Sequence, residues 1–163
     1  MRGIFLGAAL VACGGGNVDP GFSGPLPAEP RVDARASHTP PTRFARPKLV
    51  VITAAWCGIC KEVLPGLMVG YAPFESEIDL LFLDVTDERA IRRSLDVARS
   101  EGVSGFFEMY MGRTPTVGVF TKPEEPRLVH GPVGSPSHVR RELEAAIERK
   151  KDEQLLEGPA DRP

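Results

Sequence analysis

Short, continuous runs of apolar residues recur along the middle of the chain and predict buried β-strands. Residues 48–55, 79–85 and 116–121 each form such a run, rich in β-branched, leucine and phenylalanine side chains. Residues 127–130 form a weaker fourth run, separated from the third by a turn at residues 122–126. Apolar stretches of this length are typical of strands that other elements cover on both faces.

Apolar residues at helical spacing lie between these strands. The sequence predicts a helix that starts near Gly58, shortly after the first strand. Asp87 is the predicted N-cap of a second helix, because its carboxylate can accept an unpaired backbone N–H of the first turn. One face of that helix is apolar and contains Ile91, Leu95 and Ala98.

The last helix has the clearest pattern in the chain. Ser135 is expected to cap it, with Pro136 at the first helical position, where proline is favoured. Its apolar stripe at helical spacing consists of Val139, Leu143, Ala146 and Ile147. We expect this stripe to pack against the sheet.

The order of these elements predicts an α/β fold with a mixed sheet. The first half reads strand–helix–strand–helix, which requires a right-handed crossover between parallel strands. The last two strands are close enough in sequence to form an antiparallel hairpin. A mixed central sheet with helices on both faces follows from this order, in one domain.

The segment before the first strand has a different composition. Residues 14–47 contain seven prolines and a run of three glycines, with few large apolar side chains. Such a stretch buries too little apolar surface to offset the entropy of ordering it. We therefore expect a disordered, extended tether over residues 13–47, a folded domain over residues 48–151 and a disordered tail over residues 152–163.

The N-terminus is expected to be an export signal. Arg2 is followed by an uncharged run over residues 3–12, which is shorter than the ~20 residues that a membrane-spanning helix needs. This length and the small residues at its end suit a secretory signal peptide over residues 1–12. An ordinary secretion signal with an incidental cysteine, or a misplaced start codon, is the alternative.

The end of that signal, Leu10-Val11-Ala12-Cys13, resembles the lipobox of bacterial lipoproteins. The resemblance implies cleavage before Cys13 and lipidation of that cysteine, which would anchor the chain to a membrane. Gly14 follows the cysteine in place of aspartate, which in this family implies passage to the outer membrane. The expected location is the periplasmic side of the bacterial envelope.

Charge and composition argue against nucleic acid as a partner. The formal net charge is −2 and the three histidines are scattered. A nucleic-acid-binding domain would require a clustered basic face.

Two of the three cysteines, Cys57 and Cys60, lie where the first strand gives way to a helix. A thiol in the first turn of a helix faces unpaired backbone N–H groups and the positive end of the helix dipole. Both favour the thiolate, which is the nucleophilic form. We therefore expect Cys57 to attack a substrate disulfide and Cys60 to resolve the mixed disulfide.

Here the sequence resembles the thioredoxin family over about residues 47–150. Trp56 and Gly58 match the residues that flank the family's first cysteine, and Lys61 matches the lysine that often follows the second. Pro65 lies where the family's active-site helix has its kinking proline. The resemblance implies a thioredoxin-like three-layer sandwich and a redox-active disulfide, with no other cofactor.

Further positions of the motif imply a binding site for substrate. Thr114-Pro115 stands where the family keeps a cis-proline that faces the disulfide, and Thr114 would offer backbone hydrogen bonds to a polypeptide. Gly131 resembles the glycine beside the substrate groove. With Trp56, Gly58 and Ile59, these residues are the expected substrate-binding and supporting set.

Three departures from the family limit what the resemblance implies. Val51 replaces the buried aspartate that accepts a proton from the resolving thiol. Ile59 replaces the central proline of the reductant's motif, where the middle residues help to set the redox potential. Residues 103–113 look like an insertion, whose aromatic and methionine side chains predict an extra apolar helix that forms core or lid packing or, alternatively, contacts substrate.

The cysteine pair permits three other interpretations. A structural zinc site needs four protein ligands, and the histidines are distant in sequence from the pair. A purely structural disulfide is disfavoured because the loop that it closes is very short. A non-catalytic binding or adaptor module stays open, since a fold does not establish a function.

The sequence therefore predicts an envelope-anchored thiol–disulfide oxidoreductase that acts on exported protein thiols and disulfides. Reduction is favoured over oxidation, because the short fold resembles reductases more than oxidases with a large helical insertion. Since the bacterial envelope is kept oxidising, a reductase there requires an electron donor. A membrane thiol relay is the expected donor.

Overall fold

Strands and helices alternate along the chain in the predicted order, with one additional helix before the third strand. The computed structural model describes residues 39–129 and 131–156. Within these residues the elements are β1 (Lys48–Thr53), α1 (Gly58–Tyr71), a 3₁₀ turn (Ala72–Phe74), β2 (Asp79–Asp84), α2 (Glu88–Ser100), α3 (Ser104–Tyr110), β3 (Thr116–Phe120), β4 (Pro126–Leu128) and α4 (Pro136–Leu156).

The four strands form one mixed sheet in the order β2-β1-β3-β4. β1 runs parallel to β2, with Val51 opposite Phe82, and antiparallel to β3, with Val51 opposite Val117. β3 and β4 form the antiparallel hairpin, in which Val119 pairs with Arg127. The mixed sheet predicted from the order of the elements is confirmed.

Helices cover both faces of this sheet. Side chains alternate along each strand, so a wholly apolar strand places apolar side chains on both faces. Val50 and Ile52 of β1 point into a cluster that includes Ala98 of α2 and Phe107 of α3. The intervening residues of β1 point the other way, toward residues of α1 and α4 such as Leu67 and Leu143. The predicted stripe of α4 therefore packs on the sheet, and the three-layer, thioredoxin-like sandwich is confirmed.

Close contact between α1 and the segment before α4 depends on glycine. A Cβ atom at Gly66 would lie 1.8 Å from the backbone oxygen of Gly134, so no other residue fits there without a backbone shift. Gly70 is similar, because its Cβ would lie 2.8 Å from Val139. These two positions allow α1 and α4 to share one face of the sheet.

Contacts to the domain are made by residues on both sides of the predicted boundaries at residues 48 and 151. Phe44 is buried in the cluster that faces α2 and α3, and its ring lies 5.0 Å from Nζ of Lys48. Phe44, which lies within the predicted tether of residues 13–47, therefore packs on the domain. At the other end α4 continues to Leu156, past the predicted boundary at residue 151, because Lys150 and Glu153 bond to Thr121.

The predicted signal peptide, Cys13, the rest of the tether and residues 157–163 lie outside the described residues. None of the helices that the structure describes is long and apolar enough to span a membrane.

The predicted insertion over residues 103–113 contains the extra helix, α3. Phe106 and Phe107 are buried, and Phe106 packs so closely on β3 that a Cβ at Gly118 would lie 2.8 Å from its ring. Met109 and Met111 are exposed. α3 therefore belongs to the core through its two phenylalanines, while Met109 in the helix and Met111 just after it face solvent.

Candidate active site

Three chain segments meet at one end of the sheet because of the strand directions. β1 and β2 are parallel, so their carboxyl ends lie side by side, with Thr53 opposite Asp84. β3 is antiparallel to β1 and starts at this same end, with Thr116 opposite Ile52. The loops that follow β1 and β2 and the loop that precedes β3 therefore lie at one edge, which we call the dithiol end.

The cysteine pair lies in the first of these loops and in the first turn of α1. Cys57 is the N-cap of the helix and its Sγ accepts the backbone N–H of Cys60 at 3.1 Å. The two cysteines form a disulfide with their Cα atoms 5.2 Å apart. Cys57 is 6% exposed and Cys60 1%, so the predicted nucleophile is the more accessible of the two residues.

This position favours a thiolate on Cys57 once the disulfide is reduced. A sulfur at the N-cap faces the unpaired N–H groups and the positive dipole end of α1, and none of the residues in the first turn is acidic. The hydrogen bond from Cys60 N–H would then end on a charged acceptor, which strengthens it. The arrangement therefore favours the thiolate of Cys57 over its thiol.

Two large apolar side chains flank the disulfide and face solvent. Trp56 is 64% exposed and Ile59 is 60% exposed. Gly58 lies between them in sequence, and a Cβ there would meet no atom within 4 Å. The surface beside Cys57 is thus apolar and open, which suits contact with a polypeptide.

The predicted substrate groove begins at the third segment. The Thr114–Pro115 peptide bond is cis, and Pro115 lines a cavity of about 250 Å³. Gly131, whose φ of +94° favours glycine, lines the same cavity with Tyr110 and Leu128. Pro115 and Gly131, which are distant in sequence, therefore line the same depression. Thr114, the residue before Pro115, is half-buried.

Val51 lies in a wholly apolar environment. Its side chain is fully buried in the cluster beneath α1 and α4, next to Val117 and Leu67. The side chain at position 51 therefore cannot accept a proton from Cys60. Across the described residues, no group of three or more histidine, cysteine and acidic side chains is placed to hold a metal ion.

One residue at this end, Thr86, did not stand out in the sequence. Its hydroxyl oxygen accepts the backbone N–H of Ala55 at 2.8 Å, and its carbonyl accepts the indole N–H of Trp56 at 2.9 Å. The available signal was its position two residues after β2, since polar residues at the carboxyl ends of parallel strands meet at one edge.

Comparisons with known proteins give matches among solved structures alone. Protein-family models and curated proteins give no match. A thioredoxin-related protein from Neisseria meningitidis serogroup B is 17% identical, with a TM-score of 0.47, over 64% of this chain and 87% of that one. MTB dsbF, in its mixed oxidised and reduced forms, is 15% identical, with a TM-score of 0.46, over 63% and 82%.

A third similar structure is mitochondrial thioredoxin 3 from Saccharomyces cerevisiae in its oxidised form. It is 17% identical, with a TM-score of 0.43, over 64% of this chain and 82% of that one. In the present chain, the strand order, the helices on both faces and the disulfide at the start of α1 define a thioredoxin-like fold.

Proposed function

We propose that this chain is a protein thiol–disulfide oxidoreductase that works through Cys57 and Cys60 and acts mainly as a reductase. The observation that supports this most is the position of Cys57. It is the N-cap residue of α1, and its Sγ accepts the N–H of Cys60. A disulfide used only for stability gains little from this position, because its ring is small.

The reaction follows from the two sulfurs. In the reduced protein the Cys57 thiolate attacks one sulfur of a substrate disulfide, whose S–S bond breaks as a mixed disulfide forms. The other substrate sulfur leaves as a thiolate and takes up a proton. Cys60 then loses its proton and attacks Cys57 Sγ, which releases the second substrate thiol and forms the Cys57–Cys60 disulfide. The substrate gains two electrons and the protein loses two.

Reduction is supported over oxidation by the size of the fold. Between α2 and β3 this chain has only the seven-residue helix α3. Oxidases of the thioredoxin-like family have a large helical insertion instead. Because the envelope is kept oxidising, the reductase needs a partner that returns two electrons to the Cys57–Cys60 disulfide. We assign that role to a membrane thiol relay.

The proposed location rests on the sequence of the N-terminus. Lipidation at Cys13 would anchor the chain on the periplasmic side of the envelope, at the outer membrane, and the proline-rich tether would separate the domain from the lipid surface. Its substrates would then be exported proteins with disulfides or thiols.

Turnover of a model protein disulfide tests the redox function. Wild-type protein with an excess of a small dithiol should reduce the substrate, whereas Cys57→Ser and Cys60→Ser should fall to background. Cys13→Ser, which removes the third cysteine, is the matched control and should keep wild-type turnover. Turnover that survives in Cys57→Ser, or its absence in the wild type, would contradict the proposal and favour a non-catalytic adaptor.

The direction of the reaction is tested in the cell. Rapid acid quenching and alkylation should find Cys57 and Cys60 mainly as free thiols, because a donor keeps a reductase reduced. Mixed disulfides trapped with Cys60→Ser should contain exported proteins. A pair that is mainly disulfide-bonded in the envelope would indicate an oxidase.

A further inference from the structure

The loop after β2 is bonded to the two residues that precede Cys57. Thr86 accepts the N–H of Ala55 with its hydroxyl oxygen at 2.8 Å and the indole N–H of Trp56 with its carbonyl at 2.9 Å. The N–H of Cys57 itself donates to Ala54 O at 3.1 Å and closes the turn. The segment that leads to the cysteine is therefore fixed from the side by a single residue.

Thr86 is in turn held by Asp84, the last residue of β2. One carboxylate oxygen of Asp84 accepts the backbone N–H of Thr86 at 2.8 Å and also its hydroxyl. The buried Ser94 of α2 binds the backbone of Asp84 on both sides, accepting its N–H at 2.8 Å and donating to its carbonyl at 2.9 Å. α2 thus supports the loop on which Thr86 lies.

The chemistry of a hydroxyl suits it to this double role. A threonine hydroxyl has one proton to donate and lone pairs that accept. Because its proton goes to the Asp84 carboxylate, the oxygen is oriented to accept the N–H of Ala55. Valine has nearly the same shape and can do neither, so it would leave the N–H of Ala55 without this partner.

We propose that Thr86 is a positioning residue for the nucleophilic cysteine, held in place by Asp84. The inference rests on the proposed function of Cys57. Thr86 keeps the turn over residues 54–57 in the geometry that places Cys57 Sγ against the N–H of Cys60, 3.1 Å away. It acts through Ala55 and Trp56, whose N–H groups it accepts.

Loss of the hydroxyl should therefore change the acidity of Cys57 in the reduced protein. With the turn less constrained, the Cys57 thiolate is less well aligned with the N–H groups of α1. The fraction of Cys57 in the thiol form then increases. The expected change is a rise of about half a pKa unit, which corresponds to about threefold less thiolate at pH values below the midpoint.

The test measures the rate of alkylation of Cys57 in the fully reduced protein as a function of pH. Thr86→Val should move the midpoint upward by about half a unit and slow alkylation at low pH about threefold. Thr86→Ser, which keeps the hydroxyl, should restore the wild-type midpoint. The single tryptophan of the sequence, Trp56, lies beside Cys57 and lets emission confirm complete reduction.

Thr121→Val is the matched control. Thr121 also donates its hydroxyl to a carboxylate, that of Glu153 at 2.8 Å, but it follows the carboxyl end of β3 at the far end of the sheet. This variant loses a similar hydrogen bond and should leave the alkylation midpoint unchanged. A shift in Thr121→Val equal to that in Thr86→Val would reduce the role of Thr86 to general stability and overturn the proposal.

A folded Thr86→Val with the wild-type midpoint would also overturn the proposal. Should this variant not fold, Trp56→Phe removes the indole donor and leaves the hydroxyl in place, and its midpoint should move in the same direction. Turnover of wild-type protein is measured on the same preparation. Absent turnover with a shifted midpoint contradicts the redox function, whereas normal turnover with an unshifted midpoint contradicts the role of Thr86.

Discussion

The two ends of the sheet use polar groups in different ways. At the dithiol end, the hydrogen bonds that Thr86 accepts from Ala55 and Trp56 hold a backbone turn, and large apolar side chains face solvent beside the disulfide. At the opposite end, charged groups pair across elements. There the buried Lys150 of α4 donates to Thr121 O at 3.1 Å, and Lys48 of β1 donates to Glu101 after α2 at 2.6 Å.

This difference separates stability from reactivity. The pairs at the opposite end join α4 and the end of α2 to the strands, so we expect substitutions there to change the free energy of unfolding. The dithiol end leaves Trp56 and Ile59 exposed, which contributes little to folding, and under the proposed function this apolar surface would contact substrate. Substitutions there should change the rate of thiol chemistry.

The largest expected effect on stability comes from Phe44→Ala, which tests the ordered segment before β1. Phe44 is buried against the sheet and its ring contacts the ammonium group of Lys48. Its loss should lower the free energy of unfolding by about 3 kcal/mol, as for other buried aromatic residues. Denaturant unfolding measures this, with Thr42→Ala at the neighbouring exposed position as the control. A loss below about 1 kcal/mol would place Phe44 outside the core.

Glu153→Gln should have the next largest effect, because it leaves the buried Lys150 without its anionic neighbour. Lys150 Nζ lies 3.6 Å from the Glu153 carboxylate, and both side chains are largely buried. We expect a loss of about 2 kcal/mol, which is below the ~3–5 kcal/mol typical of breaking a buried pair, since the Thr121 carbonyl still accepts from Lys150.

The same helix supplies a control for that prediction. Lys151 and Glu148 form a pair with the same spacing and a shorter distance of 2.8 Å, but both side chains are exposed. Glu148→Gln should therefore leave the unfolding midpoint unchanged. Equal losses in the two variants would show that burial does not distinguish these pairs.

Asp87→Ala tests a polar contact at the dithiol end that does contribute to stability. Asp87 caps α2 by accepting the N–H of Ala90 at 2.7 Å. Its loss should cost about 1 kcal/mol. Asp87→Asn, which keeps an acceptor, should lose much less in the same denaturant titration, and equal losses would argue against the cap.

Ile59→Ser should have the smallest effect on stability, within about 0.5 kcal/mol, because Ile59 is mostly exposed. Its effect should appear in catalysis, where the KM for a protein disulfide rises about threefold through lost apolar contact. The rate with a small-molecule disulfide should stay constant. If the kinetics with the protein disulfide and with the small-molecule disulfide changed to the same extent, Ile59 would act on the cysteines and not on substrate binding.

Local sequence patterns predicted most of the elements because their causes are local. Three apolar runs predicted β1, β2 and β3 to within two residues, and Asp87 and Pro136 marked the starts of α2 and α4. The fourth strand was displaced, since it spans Pro126–Leu128 and not residues 127–130. The extra helix before β3 was predicted from its aromatic residues.

What the sequence did not predict depends on contacts between distant segments. Phe44 is one aromatic residue in a proline-rich stretch, and nothing in its neighbours indicates that it reaches the core. Thr86 bonds to Ala55, 31 residues away in sequence, only because β1 and β2 lie side by side in the sheet. Both depend on strand pairing, which a pattern within one segment does not contain.

The most direct test of the central claim is the order in which the two thiols react. A Cys13→Ser chain, fully reduced, would be alkylated over a range of pH and the labelled cysteine identified by mass spectrometry. The account predicts that Cys57 is labelled first, with a midpoint below the value of about 8.5 for a free cysteine. Labelling of Cys60 first, or a midpoint for Cys57 at or above that value, would contradict it.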